Sequence, residues 1–158
     1  MRKVSFADMN CSIAQTLEVI GEWWTLLILR DAFFGVQRFD DFVERLGISR
    51  NVLTNRLDTL VDAGVLERLP YDQGRNRYDY MLTDKGRALW PILVTMRQWG
   101  DEWILGIGNE PVLLEHRECG HATLAHMTCA TCGDQLDARL VRAIPGPGAS
   151  DVDLISRP

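Results

Sequence analysis

Apolar residues recur at helical spacing through the first two thirds of the chain, and one stretch organises the rest. Residues 47–69 read GISRNVLTNRLDTLVDAGVLERL, with Leu53, Leu57, Leu60 and Val61 on one helical face. The opposite face carries Asn51, Asn55, Asp58 and Asp62, flanked by Arg50, Thr54 and Arg56. Ser49 is suited to cap this helix, because a serine oxygen accepts a backbone N–H of the first turn. Gly64 suits the left-handed residue that ends it. Val65 to Leu69 then reads as a short strand. A buried helix whose first turns expose Arg, Asn and Thr has the form of a DNA-reading helix, although a solvated polar face has the same pattern.

Upstream, Ile13, Leu17 and Ile20 mark an amphipathic helix over residues 8–20, interrupted by Gly21. Residues 22–34, EWWTLLILRDAFF, are apolar nearly all round and predict a central buried helix ending at Gly35. FDDFVERL follows Arg38, with Phe39, Phe42, Val43 and Leu46 on one side, and Gly47-Ile48 is the turn into the next helix. Helix, glycine turn and second helix at this spacing make a helix-turn-helix unit. Downstream, strands over 65–69 and 76–82 enclose the turn 70–74, and Tyr78, Tyr80 and Leu82 alternate with Arg77, Asp79 and Met81. Arg75, Asn76 and Arg77 make the tip of this hairpin basic, which suits a wing lying on a DNA backbone or minor groove; the alternative is a solvated hairpin with unpaired arginines. Thr83 is read as the cap of one long helix through Trp103, kinked by Pro91. Its stripe of Leu89, Ile92, Leu93, Met96, Trp99 and Trp103 is more apolar surface than a small winged domain covers; a partner chain is the natural cover, with packing against residues 8–34 of the same chain as the alternative. The expected fold is mainly α with a small β-hairpin wing, over residues 8–105.

Composition narrows the function. With 46% hydrophobic and 25% charged residues, the chain has the balance of a globular protein. No apolar run approaches the length of a membrane helix, and residues 1–12 lack the apolar core of an export signal, so a cytoplasmic location is expected. The net charge of −5 argues against indiscriminate nucleic-acid binding. Residues 49–87 are nearly neutral, with seven basic against six acidic residues, whereas the remainder holds ten against sixteen. Binding through locally clustered arginines on an acidic body should be selective and salt-sensitive.

These residues resemble the HxlR family of bacterial winged helix-turn-helix regulators. The resemblance covers residues 11–104 and rests on CSIAQTLEVIGEWWTLLILRD at 11–31, RFDDF at 38–42 and GISRNVLTNRL at 47–57. It continues through LVDAGVLER to YMLTDKG at 80–86. It implies a homodimeric DNA-binding regulator, with Ser49 to Arg56 in the major groove, Arg75 to Arg77 at the wing tip and Arg38 anchoring phosphate. The chemistry agrees: Asn51 and Asn55 suit adenine, Arg50 suits guanine, and Thr54 can touch a base edge or phosphate. A duplicated reader implies a roughly palindromic double-stranded operator. The resemblance also draws attention to Cys11, where relatives carry a thiol that senses electrophiles or oxidants; a helix start favours the thiolate. The alternative is a small residue buried at a dimer interface.

Residues 112–137 extend beyond the usual span of that family. His116-x-x-Cys119-Gly and Cys129-x-x-Cys132-Gly repeat one pattern, nine residues apart. His116, Cys119, Cys129 and Cys132 have the donor set and spacing of a structural zinc site, with one nitrogen and three sulfurs. His121 or His126 could replace His116. The expectation is a small β-rich, ribbon-like appendage over 112–143, followed by a Pro- and Gly-rich tail over 144–158. A Cys129–Cys132 redox pair or a metal-free hairpin are the competing readings. No nucleophile, base and orienter constellation and no Gly-rich phosphate loop accompany these cysteines, so catalysis is not expected. A winged helix that binds protein instead of DNA is the remaining alternative.

Overall fold

The computed structural model describes residues 5–72 and 77–149. The chain divides into two compact units, Met1–Leu93 and Val94–Pro158. None of the helices among the described residues is long and apolar enough to cross a membrane.

The first unit is built from α1 (Ser12–Ile20), α2 (Trp23–Phe33), α3 (Phe39–Leu46) and α4 (Arg50–Asp62), then β1 (Leu66–Asp72) and β2 (Arg77–Leu82). Its core is set by the apolar face of α4. Leu53, Leu57 and Leu60 are fully buried with Ile28 and Leu29 of α2 and Phe42 of α3. Each such side chain contributes about 1.5–3 kcal/mol by leaving water. The tight joint between α3 and α4 needs one left-handed residue, and Gly47 takes it at φ 62°. Ser49 caps α4 as its sequence position predicts, its hydroxyl oxygen accepting from the Val52 N–H at 3.4 Å.

A buried carboxylate also holds the helices. Asp31 of α2 is fully buried, paired with Arg30 at 2.9 Å and with Arg45 of α3 at 3.3 Å. Both arginines keep one side in solvent, so Asp31 reaches its partners without burying a second charge.

The two strands form an antiparallel hairpin in which Leu66 faces Leu82 and Arg68 faces Tyr80. β1 runs three residues past the predicted strand, through a register shift between Pro70 and Asp72. Residues just before α3 join this hairpin: Tyr80 donates its N–H to Gln37 O at 2.8 Å, and Arg38 bridges Asp79. The wing is thereby fastened to the start of α3, a contact that sequence spacing does not announce.

One expected helix is broken. Thr83 caps α5 (Asp84–Arg87), a single turn that stops before α6 (Trp90–Gly100) begins. A π-helical turn, Asp101–Leu105, follows. Pro91 lies in the first turn of α6, where a missing N–H costs nothing, so it helps start a new helix instead of kinking a long one.

In the second unit, β3 (Leu114–His116) and β4 (His121–Thr123) form a short antiparallel hairpin, and Thr128 bridges Gln135. No described residue between 101 and 149 is buried. Hydrogen bonds hold this part: the Gln98 amide both donates to Ala125 O and accepts from Ala125 N, each at 3.0 Å. Arg97 donates to Val112 O and pairs with Asp101 at 3.5 Å.

Candidate nucleic-acid interface

The first turns of α4 stand out because their polar side chains are exposed while the apolar face is locked in the core. Arg50, Asn51, Thr54 and Asn55 are all exposed. At the helix start, Arg50 pairs with Asp40 of α3 at 2.9 Å and lies over the Phe39 ring, 4.8 Å from its centroid. Ser49 is spent on the cap, so its part is to orient the helix.

A cleft of about 390 Å³ adjoins this helix start, lined by Arg38, Phe39, Asp40, Asp41, Arg50, Tyr71, Arg77, Tyr78 and Tyr80. It gathers three of the predicted DNA-contacting arginines, from the residue before α3, from α4 and from the wing. Arg38 is exposed, stacked 4.9 Å from the Tyr71 ring and 3.8 Å from Asp79, so its guanidinium is held at the cleft. Burial raises the Tyr80 phenol above its ordinary value, against the opposing pull of nearby Arg68. Tyr80 therefore stays neutral near pH 7 and offers a hydroxyl instead of a charge. Arg77 is exposed on the wing, whereas Arg75 and Asn76 lie outside the described residues.

One predicted reader faces the other way. Arg56 is three-quarters buried on its side chain and faces Glu22, at the start of α2, at 3.7 Å. Its place beside Arg50 and Asn55 in sequence is not its place on the helix. One turn on from Val52 and Leu53, it borders the buried face, and tying α4 to α2 is its structural role.

The remaining candidates separate by burial. Leu89 and Leu93 pack against the core of the first unit, while Met96, Trp99 and Trp103 are exposed. Ile13 and Leu17 on α1 are exposed as well. Cys11 is an exposed free thiol at the N-cap position of α1.

The cysteine-rich loops share one backbone build. Gly120 donates its N–H to His116 O at 2.8 Å and Gly133 donates to Cys129 O at 2.8 Å, with φ of 68° and 79° at the two glycines. His116 Nδ1 lies 3.4 Å from Cys119 Sγ. Hydrogen bonds from the backbone N–H groups of Cys132 and Thr131 bring the Cys129 thiol down to about 7. The four donors stand as two pairs: among the described residues no three His, Cys, Asp or Glu side chains gather into a metal-binding group. His116 belongs to the β3–β4 hairpin and Cys129 to the loop closed by the Thr128–Gln135 bridge. His126 meets Gln135 at 3.3 Å, and His121 pairs in register with His116.

Comparison with known proteins supplies the family. The family model of the HxlR-like helix-turn-helix matches residues 19–106. The uncharacterized HTH-type transcriptional regulator Rv3095 of Mycobacterium tuberculosis is 44% identical over 137 residues, covering 87% of each chain. The chain belongs to the HxlR-like helix-turn-helix family. It is a DNA-binding transcriptional regulator of the winged-helix type and not an enzyme. The solved structure of the transcription-factor candidate PA1607 is similar over 90% of this chain and all of its own, with 37% identity and a TM-score of 0.80. The redox regulator HypR, in its reduced form, is 33% identical with a TM-score of 0.53, over 57% of this chain and 90% of its own. The similarity to Rv3095 and PA1607 thus extends beyond the family's helix-turn-helix segment, whereas that to HypR is confined to a smaller share of the chain.

Proposed function

We propose that this HxlR-like regulator binds as a homodimer to a roughly palindromic operator, with Arg50, Asn51, Thr54 and Asn55 reading bases in the major groove. Arg38 and Arg77 hold phosphates on either side. The carrying observation is that Arg50, at the exposed start of α4, lines a single cleft with two further arginines. Two copies of α4 would enter successive major grooves about 34 Å apart. The dimer reading is supported by the exposed apolar residues of α1 and α6, Ile13, Leu17, Met96 and Trp99, with Trp103 beyond them. A single acidic chain with few phosphate contacts would bind weakly, so specificity requires duplication.

Selection of bound duplexes from a random pool should return a two-fold repeated site. Arg50→Ala should relax the preference at one base pair per half-site, and Arg77→Ala should weaken binding to all duplexes alike. A salt titration separates the two, since losing a phosphate contact lowers the salt slope by about one. If both variants bind and select as the native protein does, these contacts are assigned wrongly.

Signal reception is placed at Cys11 in the same proposal. Its thiol is exposed at the start of α1, beside the exposed apolar residues Ile13 and Leu17. An oxidised or alkylated thiol there would disturb a dimer contact and so the spacing of the two readers. The likeness to HypR, which is described as a redox regulator, favours this reading over a merely structural cysteine. A thiol-blocking reagent should change operator affinity in the native protein and leave Cys11→Ser unaffected. An equal response in the two proteins rules out sensing at this position.

A further inference from the structure

Arg50 does not project freely from its helix. It is held on its edge by Asp40, Nη1 to Oδ1 at 2.9 Å, and on its face by the Phe39 ring. Phe39 is itself packed against the core, so the stack has a fixed base. The ion pair is open to solvent, with side-chain exposures of 65% for Arg50 and 72% for Asp40. Pairs this exposed contribute little to folding stability, so the arrangement is not explained by what it adds to the fold. It also sets an acidic residue on a surface that must approach phosphate.

Resting on the DNA-reading function above, we propose that Asp40 is a positioning residue for base recognition. It fixes the plane of the Arg50 guanidinium, so that the Nη2–Nε edge is presented to guanine O6 and N7. A guanidinium has five donors, and bidentate recognition needs two of them in one plane and direction. With Nη1 taken by Asp40 and one face covered by Phe39, the number of ways Arg50 can seize a passing phosphate falls. Its side-chain freedom is spent before the duplex arrives, which favours the matched base over a mismatched one. The Asp40 charge adds repulsion toward any phosphate backbone, a penalty shared by matched and unmatched duplexes.

Asp41 supplies the control. It lies on the next residue of the same first turn of α3, is exposed and lines the same cleft, but the ion pair of Arg50 runs to Asp40. Asp40→Ala and Asp41→Ala remove equal charge from equivalent helix positions, and their thermal midpoints check that both fold as the native protein does. Both should bind unmatched duplex several-fold more tightly. Asp40→Ala alone should lower the preference by about tenfold, at the base pair whose preference Arg50→Ala abolishes. The readout is enrichment from a random duplex pool, position by position, for the native protein and the three variants. Retention of native preference by Asp40→Ala, or a loss at some other base pair, overturns the positioning role while leaving DNA reading intact. If the native protein enriches no sequence at all, the DNA-reading function fails and this inference falls with it.

Discussion

Phe42→Ala is expected to destabilise the winged unit by about 3–5 kcal/mol, because a large aromatic is removed from a packed core and a cavity remains. Phe42 is fully buried on α3, which packs against both α2 and α4. It shares one buried cluster with Ile28, Leu29, Leu53, Leu57 and Leu60, all fully buried, and such a cluster has little room to collapse. Domains of this size are stable by roughly 5–15 kcal/mol, so the loss is a large share of the whole. The thermal midpoint should fall by at least about 10 °C. The functional effect follows from geometry: α3 carries Asp40 and the residues before it carry Arg38, so loosening α3 misplaces the cleft as well as the helix start. Denaturant unfolding of Phe42→Ala beside the native chain checks this. A loss below about 1 kcal/mol would mean that the turn, and not the core, sets the angle between α3 and α4.

Gly86→Ala is the second expected large effect, and two considerations of opposite sign meet in it. By helix propensity alone, alanine in α5 should stabilise by about 1 kcal/mol. Packing points the other way. A Cβ at Gly86 would lie 2.2 Å from the Val65 carbonyl oxygen and 3.0 Å from Leu82 Cδ2. That oxygen cannot easily withdraw, because it accepts the Thr83 N–H at 3.1 Å. The surrounding contacts explain the whole LTDKG segment. The Thr83 hydroxyl reaches Gly64 O at 2.7 Å while accepting from Gly86 N at 3.1 Å, and Lys85 Nζ donates to Ala63 O at 2.7 Å. Thr83 and Lys85 bind backbone carbonyls at the end of α4, and Gly86 leaves room for the Val65 carbonyl beside them. Forcing an extra carbon into this contact costs about 1–3 kcal/mol or more, and backbone against backbone belongs at the upper end. A net destabilisation of about 2 kcal/mol is expected. It should show as a lower urea midpoint with an unchanged slope. Stabilisation instead would show that α5 can move away from Val65 without loss.

These two residues mark how far the sequence could be read. Phe42 was legible from periodicity: its neighbours at helical spacing place it on the buried side of α3, whose observed limits, Phe39–Leu46, coincide with the predicted segment. Gly86 was visible as part of a family motif without a physical reason, since the reason is a carbonyl twenty-one residues earlier in the chain. Arg56 shows the same limit from the other direction. It shares residue type and neighbourhood with Arg50, yet it meets Glu22, and a partner distant in the chain decides which of the two arginines stays exposed. Sequence spacing suggested one closed four-donor site from His116, Cys119, Cys129 and Cys132, whereas among the described residues no three such side chains gather into a metal-binding group.

What the sequence determined by itself is what depends on near neighbours along the chain. The helices α1 to α4, the Ser49 cap, the left-handed Gly47 and Gly64, the wing hairpin and the exposed start of α4 all follow from periodicity and local backbone preference, which act over a few residues. Tertiary structure decided what depends on meetings between distant segments. It broke the predicted long helix before Trp90 where α5 docks on the end of α4, tied the wing to Gln37 and Arg38, and turned Arg56 inward. It also set Asp40 and Phe39 against Arg50 at the mouth of the cleft. Those contacts are selected by packing and hydrogen-bond satisfaction across the fold, and spacing along the chain carries no record of them.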